Sequence, residues 1–407
     1  MSAPEHDVTP HFQHLQPTPA LDALRARVRR FVDEVAIPAE SAEAAHDWTA
    51  LDRVLIPLRA QAQSAGLYLP QMPIEHGGLG LTWVERAVVL EEAGRSFLAP
   101  AAMNCAPPDQ PNMISLLRQG SPDQQARYLQ PLLRGDVRSC FAMTEPSPGA
   151  GSDPAMLQTR AQRVEGGWEI TGHKWFITGA CGAGFAIVLA QTEHGPTQFI
   201  VDASTPGFDC VRAIPCIDPF AIGGHGEIRL TQCRVSDAAV LGQVGQGLVY
   251  AQVRLEPARL SHCMRFIGRA RRALEIAMDH VQHRTAFGER LADTQQIQAM
   301  VADAEMDLHM SRLLVLDCAS RMDAAQSIKT ESAMTKIMVS EAVNRVADRA
   351  AQMMGARGMS EDTAVAWILN ELRPFRIYDG ASELHRATLG RRLLRPVAGH
   401  GTGNANR

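Results

Sequence analysis

Long apolar runs, paired cysteines and a basic excess are all missing from this 407-residue sequence. No stretch approaches the ~18 uninterrupted apolar residues of a membrane-spanning helix, which argues against a transmembrane segment. The eight cysteines, at 105, 140, 181, 210, 216, 233, 263 and 318, include no C-x-x-C pair. Scattered thiols in a long chain fit reduced, mostly buried residues better than a disulfide framework. Lys and Arg number 40 against 44 Asp and Glu, so the clustered positive charge expected of a nucleic-acid binder is absent. Residues 1–19 are polar and hold no apolar stretch of the kind a secretory signal needs, so they read as a flexible tail. These absences together predict a cytoplasmic protein without a nucleic-acid partner. Its length is enough for two to three domains.

What is present falls into three textures. Over residues 20–136 the apolar period is helical: Leu21, Leu24, Val28, Phe31 and Val35 form one stripe, and Pro38 ends it. Ser121 and Gly135 bracket a further helix as N-cap and C-terminal stop. Over 137–244 short β-rich runs alternate with Gly, Pro and Asp, and Gly166-Gly167 reads as a two-residue hairpin turn. Without intervening helices, this argues for an antiparallel β-barrel or sandwich rather than a Rossmann unit. Over 245–396 the helical period returns in segments near thirty residues long, which predicts a long four-helix bundle. Residues 397–407 read as a second flexible tail. The fold class is therefore multidomain α+β, with a helical, then a β, then a helical-bundle domain.

Two signals carry little alone. His280 and His283 lie three apart on a helix, but no further ligand pattern completes a metal site, so no metal is expected. The run Arg269-Ala270-Arg271-Arg272 reads as a solvated helix face, with a role in seating a phosphate left open.

Three local sequences make the domain order specific. Phe141–Asp153 (FAMTEPSPGAGSD) is followed by Gly172–Ala180 (GHKWFITGA). Arg284–Gln295 reads RTAFGERLADTQ. Met353–Gly358 (MMGARG) is followed by Arg376–Arg386 (RIYDGASELHR). In this order and at these separations they resemble the acyl-CoA dehydrogenase family from about residue 20 to 396. The nearest likeness is to the "ten and eleven" type and its bacterial relatives, through Asn104–Met113, Arg254–Arg265 and Tyr378–Thr388.

The resemblance implies FAD as cofactor and an acyl-CoA as substrate, with an electron-transfer flavoprotein as partner and assembly as a homodimer or homotetramer. It places Phe141, Met143 and Thr144 along the flavin ring, with Ser152 near both flavin and substrate. Ser147-Pro148 looks like an insertion in that loop, which taken alone is a Gly/Pro turn between strands. Phe176 or its neighbour Trp175 would flank the ring, and strand alternation would turn only one of them inward. The hydroxyl of Thr178 would bond the ring's polar edge. Arg284, Phe287, Gln295, Gln352, Met353 and Gly355 would serve the cofactor's far end from a neighbouring subunit, with Gly358 letting the backbone close. Ala286 stands where the family has a Thr. Ala381 and Glu383 complete the cofactor set.

Asp379 is the expected base. Removing an α-proton while a hydride leaves the β-carbon needs a carboxylate facing the α-carbon, and the thioester oxygen needs donors such as the amide of residue 379. Gly380 would let backbone approach substrate; alone, Asp-Gly would read as a turn closing a helix. Most of the family has Glu here, one methylene longer. The base position used by some members is Ala258 in this chain. Glu256 and Arg259 would contact the thioester, or form an exposed ion pair at a helix start. The reaction implied is α,β-dehydrogenation to the trans-2-enoyl-CoA, with longer, branched or hydroxylated acyl groups suggested by the subgroup. The alternative on the same fold is a nitroalkane-oxidase-like flavin oxidase or monooxygenase.

Overall fold

A computed structural model describes residues 18–394. The expected tails lie outside this range, save that Thr18 and Pro19 already belong to the first helix. The Thr18 hydroxyl accepts from the Leu21 amide and caps α1 (Pro19–Phe31). The N-terminal helices continue with α2 (Trp48–Ser64), α3 (Trp83–Gly94) and α4 (Asp109–Gln119). A reciprocal capping box of Thr82 and Glu85 starts α3. Ser121 and Gln124 make a second box ahead of the helical stretch 122–134, which Gly135 ends at φ +77°.

Seven strands follow: β1 (Ser139–Ala142), β2 (Arg160–Val164), β3 (Gly167–Thr178), β4 (Phe185–Thr192), β5 (Gly195–Asp202), β6 (Phe208–Ala213) and β7 (His225–Ser236). They form one curled sheet in the order β1-β4-β2-β3-β7-β6, with β5 on β4. Most pairs are antiparallel, but β1 runs parallel to β4. The hairpin turn is one residue earlier than its sequence suggests. Val164 pairs with Gly167, which leaves Glu165-Gly166 as the loop and Gly166 at φ +78°. Gly167 is a strand residue for another reason: a Cβ there would overlap the Val235 carbonyl.

The bundle comprises α5 (Gly247–His283), α6 (Gln295–Asp323), α7 (Lys329–Met354), α8 (Ala364–Leu372) and α9 (Ser382–Leu393). One apolar core unites it with the N-terminal helices, bringing Val28, Leu51 and Leu90 together with Leu260, Ile267 and Val343. The sheet keeps a separate core around Trp168, Ile170 and Phe199. All eight cysteines are free, and six are buried.

The arginine run on α5 is not a solvated face. Arg269 and Arg272 are buried. Arg269 bonds Glu371 at 2.5 Å and the carbonyls of Gly94 and Ser96, while Arg272 bonds Glu40 at 2.7 Å. Their partners neutralise them inside the joint between α5 and the N-terminal domain, leaving neither for a CoA phosphate. A helical period marks a residue's face but not what lies opposite, so an interior cation reads like an exposed one.

Candidate active site

Asp379 lies between the turn Arg373–Arg376 and α9. Its φ of +55° is left-handed, and Gly380 follows at +90°. Asp tolerates this region better than most side chains. A Cβ at 380 would come within 2.6 Å of His385 Nε2, so the second position requires glycine. The paired reversal turns the Asp379 carbonyl toward the bundle, where it accepts from Arg259 Nε at 2.7 Å and faces His385 Nε2 at 3.0 Å. Arg259 therefore holds the Asp379 backbone and is not ion-paired to Glu256. The Asp379 amide has no hydrogen-bond acceptor among the described residues.

The carboxylate is enclosed, with its Oδ2 2.9 Å from His262 Nδ1. The same nitrogen lies 3.0 Å from the Ala258 carbonyl. Both neighbours are acceptors, so Nδ1 carries the proton. One proton cannot align on both: the helix carbonyl has the better angle, and Oδ2 is left without a well-aligned donor. Burial pushes the Asp379 carboxyl up, but His262, Arg259 and Arg254 together outweigh it and hold it at about 2. Asp379 is thus ionised at neutral pH. Burial lowers His262, so the imidazole is neutral there.

Arg254, one turn of α5 before Ala258, is 7% exposed. Its guanidinium lies 4.1 Å above the Phe141 ring, and its Nε donates to Asn112 Oδ1 at 3.0 Å. Asn112 Nδ2 donates to Ser139 Oγ, which donates in turn to Asp109. The chain ties α4, β1 and α5 into one polar junction.

On the sheet side, Phe141 lies on β1, which leads to Met143 and Thr144, both partly exposed. The Trp175 amide donates to the Thr144 carbonyl at 3.1 Å. A bulge in β3 between Lys174 and Ile177, with Phe176 at φ +50°, breaks the alternation expected of Trp175 and Phe176. Neither ring enters the core. They meet edge-on at 5.0 Å, with Phe176 47% exposed. Lys174 is fully buried, donating to the carbonyls of Met143 and Leu189 and to Glu145 at 2.9 Å. Glu145 also accepts from the amides of Ala150, Gln158 and Thr159, which closes the loop that carries exposed Ser152. Thr178 Oγ1 is 3.1 Å from His225 Nδ1, and His225 Nε2 is 2.7 Å from Asp218 Oδ2. Cys216 joins Asp218 and His225 in a compact group.

A third set is remote from Asp379. Arg284 follows α5, roughly 37 Å along the helix from Arg259 at 1.5 Å per residue. Nearby, Phe287 tips a hairpin at φ +56° and is fully exposed, and Gln295 opens α6. Gln352 is exposed, but the Met353 side chain is in the core, which leaves only its backbone for a ligand. Gly355 ends α7 at φ +60°, ψ −140°, a conformation open only to glycine. His280 feels Arg284 and Arg357 electrostatically, so these groups share one end of the bundle.

The acyl-CoA dehydrogenase N-terminal domain matches residues 18–136, the middle domain 140–232 and the C-terminal domain 245–394. The chain belongs to the acyl-CoA dehydrogenase family. It is similar to acyl-CoA dehydrogenase family member 10 of Mus musculus, 34% identical over 93% of this chain but only 37% of that relative. It spans half of family member 11 of Homo sapiens at 33% identity. (R)-Benzylsuccinyl-CoA dehydrogenase of Thauera aromatica is 34% identical, over 82% of this chain and 83% of the relative. The crystal structure of acyl-CoA dehydrogenase from Geobacillus kaustophilus superposes with a TM-score of 0.81 at 26% identity, covering 93% of this chain and 98% of that one.

Acyl-CoA dehydrogenases are FAD-dependent, and the surface of β1 and β3 fits a flat ring. It offers an outward apolar face at Phe176, backbone and small polar groups at Thr144, and the Thr178 hydroxyl at an edge. Sequence reasoning had not reached the residues behind that surface: Lys174, Glu145, His225 and Asp218 on the sheet side, Arg254 and His262 on the bundle side. Arg254 stands four before Ala258 and His262 four after it, so the three share one stripe of α5. That spacing was available in the sequence, but nothing in it says that the stripe faces Asp379.

Proposed function

We propose that this chain catalyses FAD-dependent α,β-dehydrogenation of an acyl-CoA thioester to the trans-2-enoyl-CoA, with Asp379 removing the α-proton. The observation that carries this reading is the enclosed Asp379 carboxylate, ionised at neutral pH on a backbone fixed by Arg259 and His385. Bound FAD supplies the acceptor for the β-hydride. Phe141, Met143, Thr144, Phe176 and Thr178 offer the surface for its ring, and Ser152 stands at the rim. The free Asp379 amide is a donor for the thioester oxygen as charge develops there. Gly380 keeps that approach open, and Glu256 lies near enough to Arg259 to act on it electrostatically.

The remote set supports assembly as a homodimer or homotetramer. Arg284, Phe287, Gln295, Gln352 and Gly355 are too far from Asp379 to share its flavin, so they would serve a partner's. Ala381 and Glu383, at the start of α9, would lie beside the chain's own cofactor. Reduced flavin would pass its electrons to an electron-transfer flavoprotein.

The test is anaerobic mixing with a panel of acyl-CoA thioesters. The expected outcome is flavin bleaching, with little hydrogen peroxide formed when air is admitted. Rapid peroxide formation, or no bleaching by any thioester, would instead favour an oxidase. Asp379→Asn is expected to retain FAD and lose turnover by several orders of magnitude with every substrate. Near-wild-type turnover would remove Asp379 from the mechanism.

A further inference from the structure

Most buried arginines among the described residues are ion-paired, but Arg254 and Arg265 are not. Arg269 and Arg272 spend their charge on Glu371 and Glu40, and Arg95 bonds both Asp33 and Glu275. Arg254 is as deeply enclosed, yet its sole hydrogen bond runs from Nε to the neutral amide of Asn112. Among the described residues no carboxylate lies within ion-pair distance of it, and neither terminal nitrogen is hydrogen-bonded. A desolvated guanidinium without a counter-charge is costly, and its planar fork suits two oxygens of one anion.

The direction of the fork is fixed from behind. Asp109 accepts from Ser139, Ser139 Oγ accepts from Asn112 Nδ2, and this turns Asn112 Oδ1 toward Arg254 Nε. Phe141 supports the guanidinium face at 4.1 Å. Arg254 lies on the same stripe of α5 as His262, which meets the Asp379 carboxylate at 2.9 Å, and Asp379 acts on Arg254 electrostatically without an ion pair. The cations beside it have acids of their own: Arg259 feels Glu256, Arg265 feels Glu371 and Lys336 feels Glu383. The Arg265 Nη1 donates to the Cys105 carbonyl. A purely hydrocarbon acyl chain would leave the Arg254 guanidinium without an anion of its own.

We propose that the acyl pocket is built for an acyl-CoA carrying a second carboxylate on its acyl chain, bound bidentately by Arg254. This rests on the dehydrogenase reading above and names its substrate class. Residue 254 is separated along α5 from the residues facing Asp379, 259 to 262, by roughly 7.5–12 Å. The arginine side chain spans part of that distance, which puts the carboxylate roughly two to four carbons beyond the α-carbon. The junction of α4, β1 and α5 is too enclosed for a CoA phosphate.

The experiment compares an unsubstituted acyl-CoA with its ω-hydroxy and ω-carboxy analogues of equal chain length. Anaerobic flavin reduction is followed in the FAD-loaded wild type, Arg254→Met and Arg254→Lys, with flavin content confirming that each variant is folded. The carboxylated substrate is expected to be favoured in the wild type by on the order of 10²-fold in reduction rate over Kd, as for a buried charge pair. The preference is expected to vanish in Arg254→Met and to return in part in Arg254→Lys. Equal reactivity of the three substrates, a preference for the hydroxyl, or a carboxylate preference that survives in Arg254→Met each overturns the proposal. Calorimetry of the carboxylated thioester with Asp379→Asn separates the two readings. Arg254-dependent binding with no bleaching by the wild type sinks dehydrogenation and leaves the anion site standing. Oxidation of plain acyl-CoA without any carboxylate advantage sinks the anion site alone.

Discussion

At the scale of single residues, Asp379 and His262 form a unit whose behaviour depends on one proton. Neutral His262 gives its N–H to the Ala258 carbonyl, and so leaves the Asp379 carboxylate free to accept an α-proton. Once protonated, the imidazolium sits 2.9 Å from the carboxylate and makes it a poorer base. Burial lowers the His262 titration below the ordinary imidazole value of about 6.5. The rate should therefore fall as pH decreases through the His262 titration, below the ordinary imidazole value. In His262→Gln, which keeps a donor but cannot titrate, the acid limb of kcat/KM is expected to move down into the carboxylate range. A limb unchanged in that variant would belong to another group. Asp379 was legible through the family resemblance, which matched the flavin motifs upstream and left Ala258 at the other base position. His262 and Arg254 were not legible, since a polar residue on a long amphipathic helix is silent about what it meets.

At the scale of elements, the site depends on how closely α3 and α5 cross. A Cβ at Gly94 would overlap the Arg265 carbonyl, and one at Gly268 would overlap the Glu91 carbonyl. Two glycines thus let the helix backbones touch, and Arg269 reaches the Gly94 and Ser96 carbonyls across the joint. The same contact fixes the rotation of α5, and with it the stripe of Arg254, Ala258 and His262. Gly268→Ala adds only one methyl group, but backbone cannot repack as a side chain does. Its cost should exceed the ~1–3 kcal/mol of ordinary overpacking. A lower melting temperature with reduced flavin content is expected; a melting temperature equal to wild type would show that the helices part freely. Helix positions and caps were readable from apolar period, Thr82, Ser121 and Gly135. The crossing was not, because it depends on which two glycines meet across 174 residues of sequence.

At the scale of the whole molecule, the two sets of candidate cofactor residues lie far apart. Asp379 lies beside the first half of α5, while Arg284 stands roughly 37 Å along the helix from Arg259, at the end of the bundle it shares with Arg357. The family resemblance implied that the second set serves a neighbouring subunit, and the separation itself follows from α5 running unbroken from Gly247 to His283 despite Pro257. Between the remote groups projects Phe287, a fully exposed phenyl held on a left-handed turn residue. An isolated exposed Phe on a strained hairpin tip has no use in a monomer: it costs backbone strain and buries no apolar area. In an assembly where one subunit's hairpin covers the partner's cofactor, that ring becomes buried and the strain is offset. Phe287→Asp should then weaken association and cofactor retention together. Sedimentation is expected to shift toward smaller species, and flavin absorbance per chain to fall as the protein is diluted, with recovery on adding FAD in excess. Full assembly and unit flavin content in Phe287→Asp would place the subunit contact elsewhere. Loss of flavin without any change in assembly would give Phe287 a role within its own subunit.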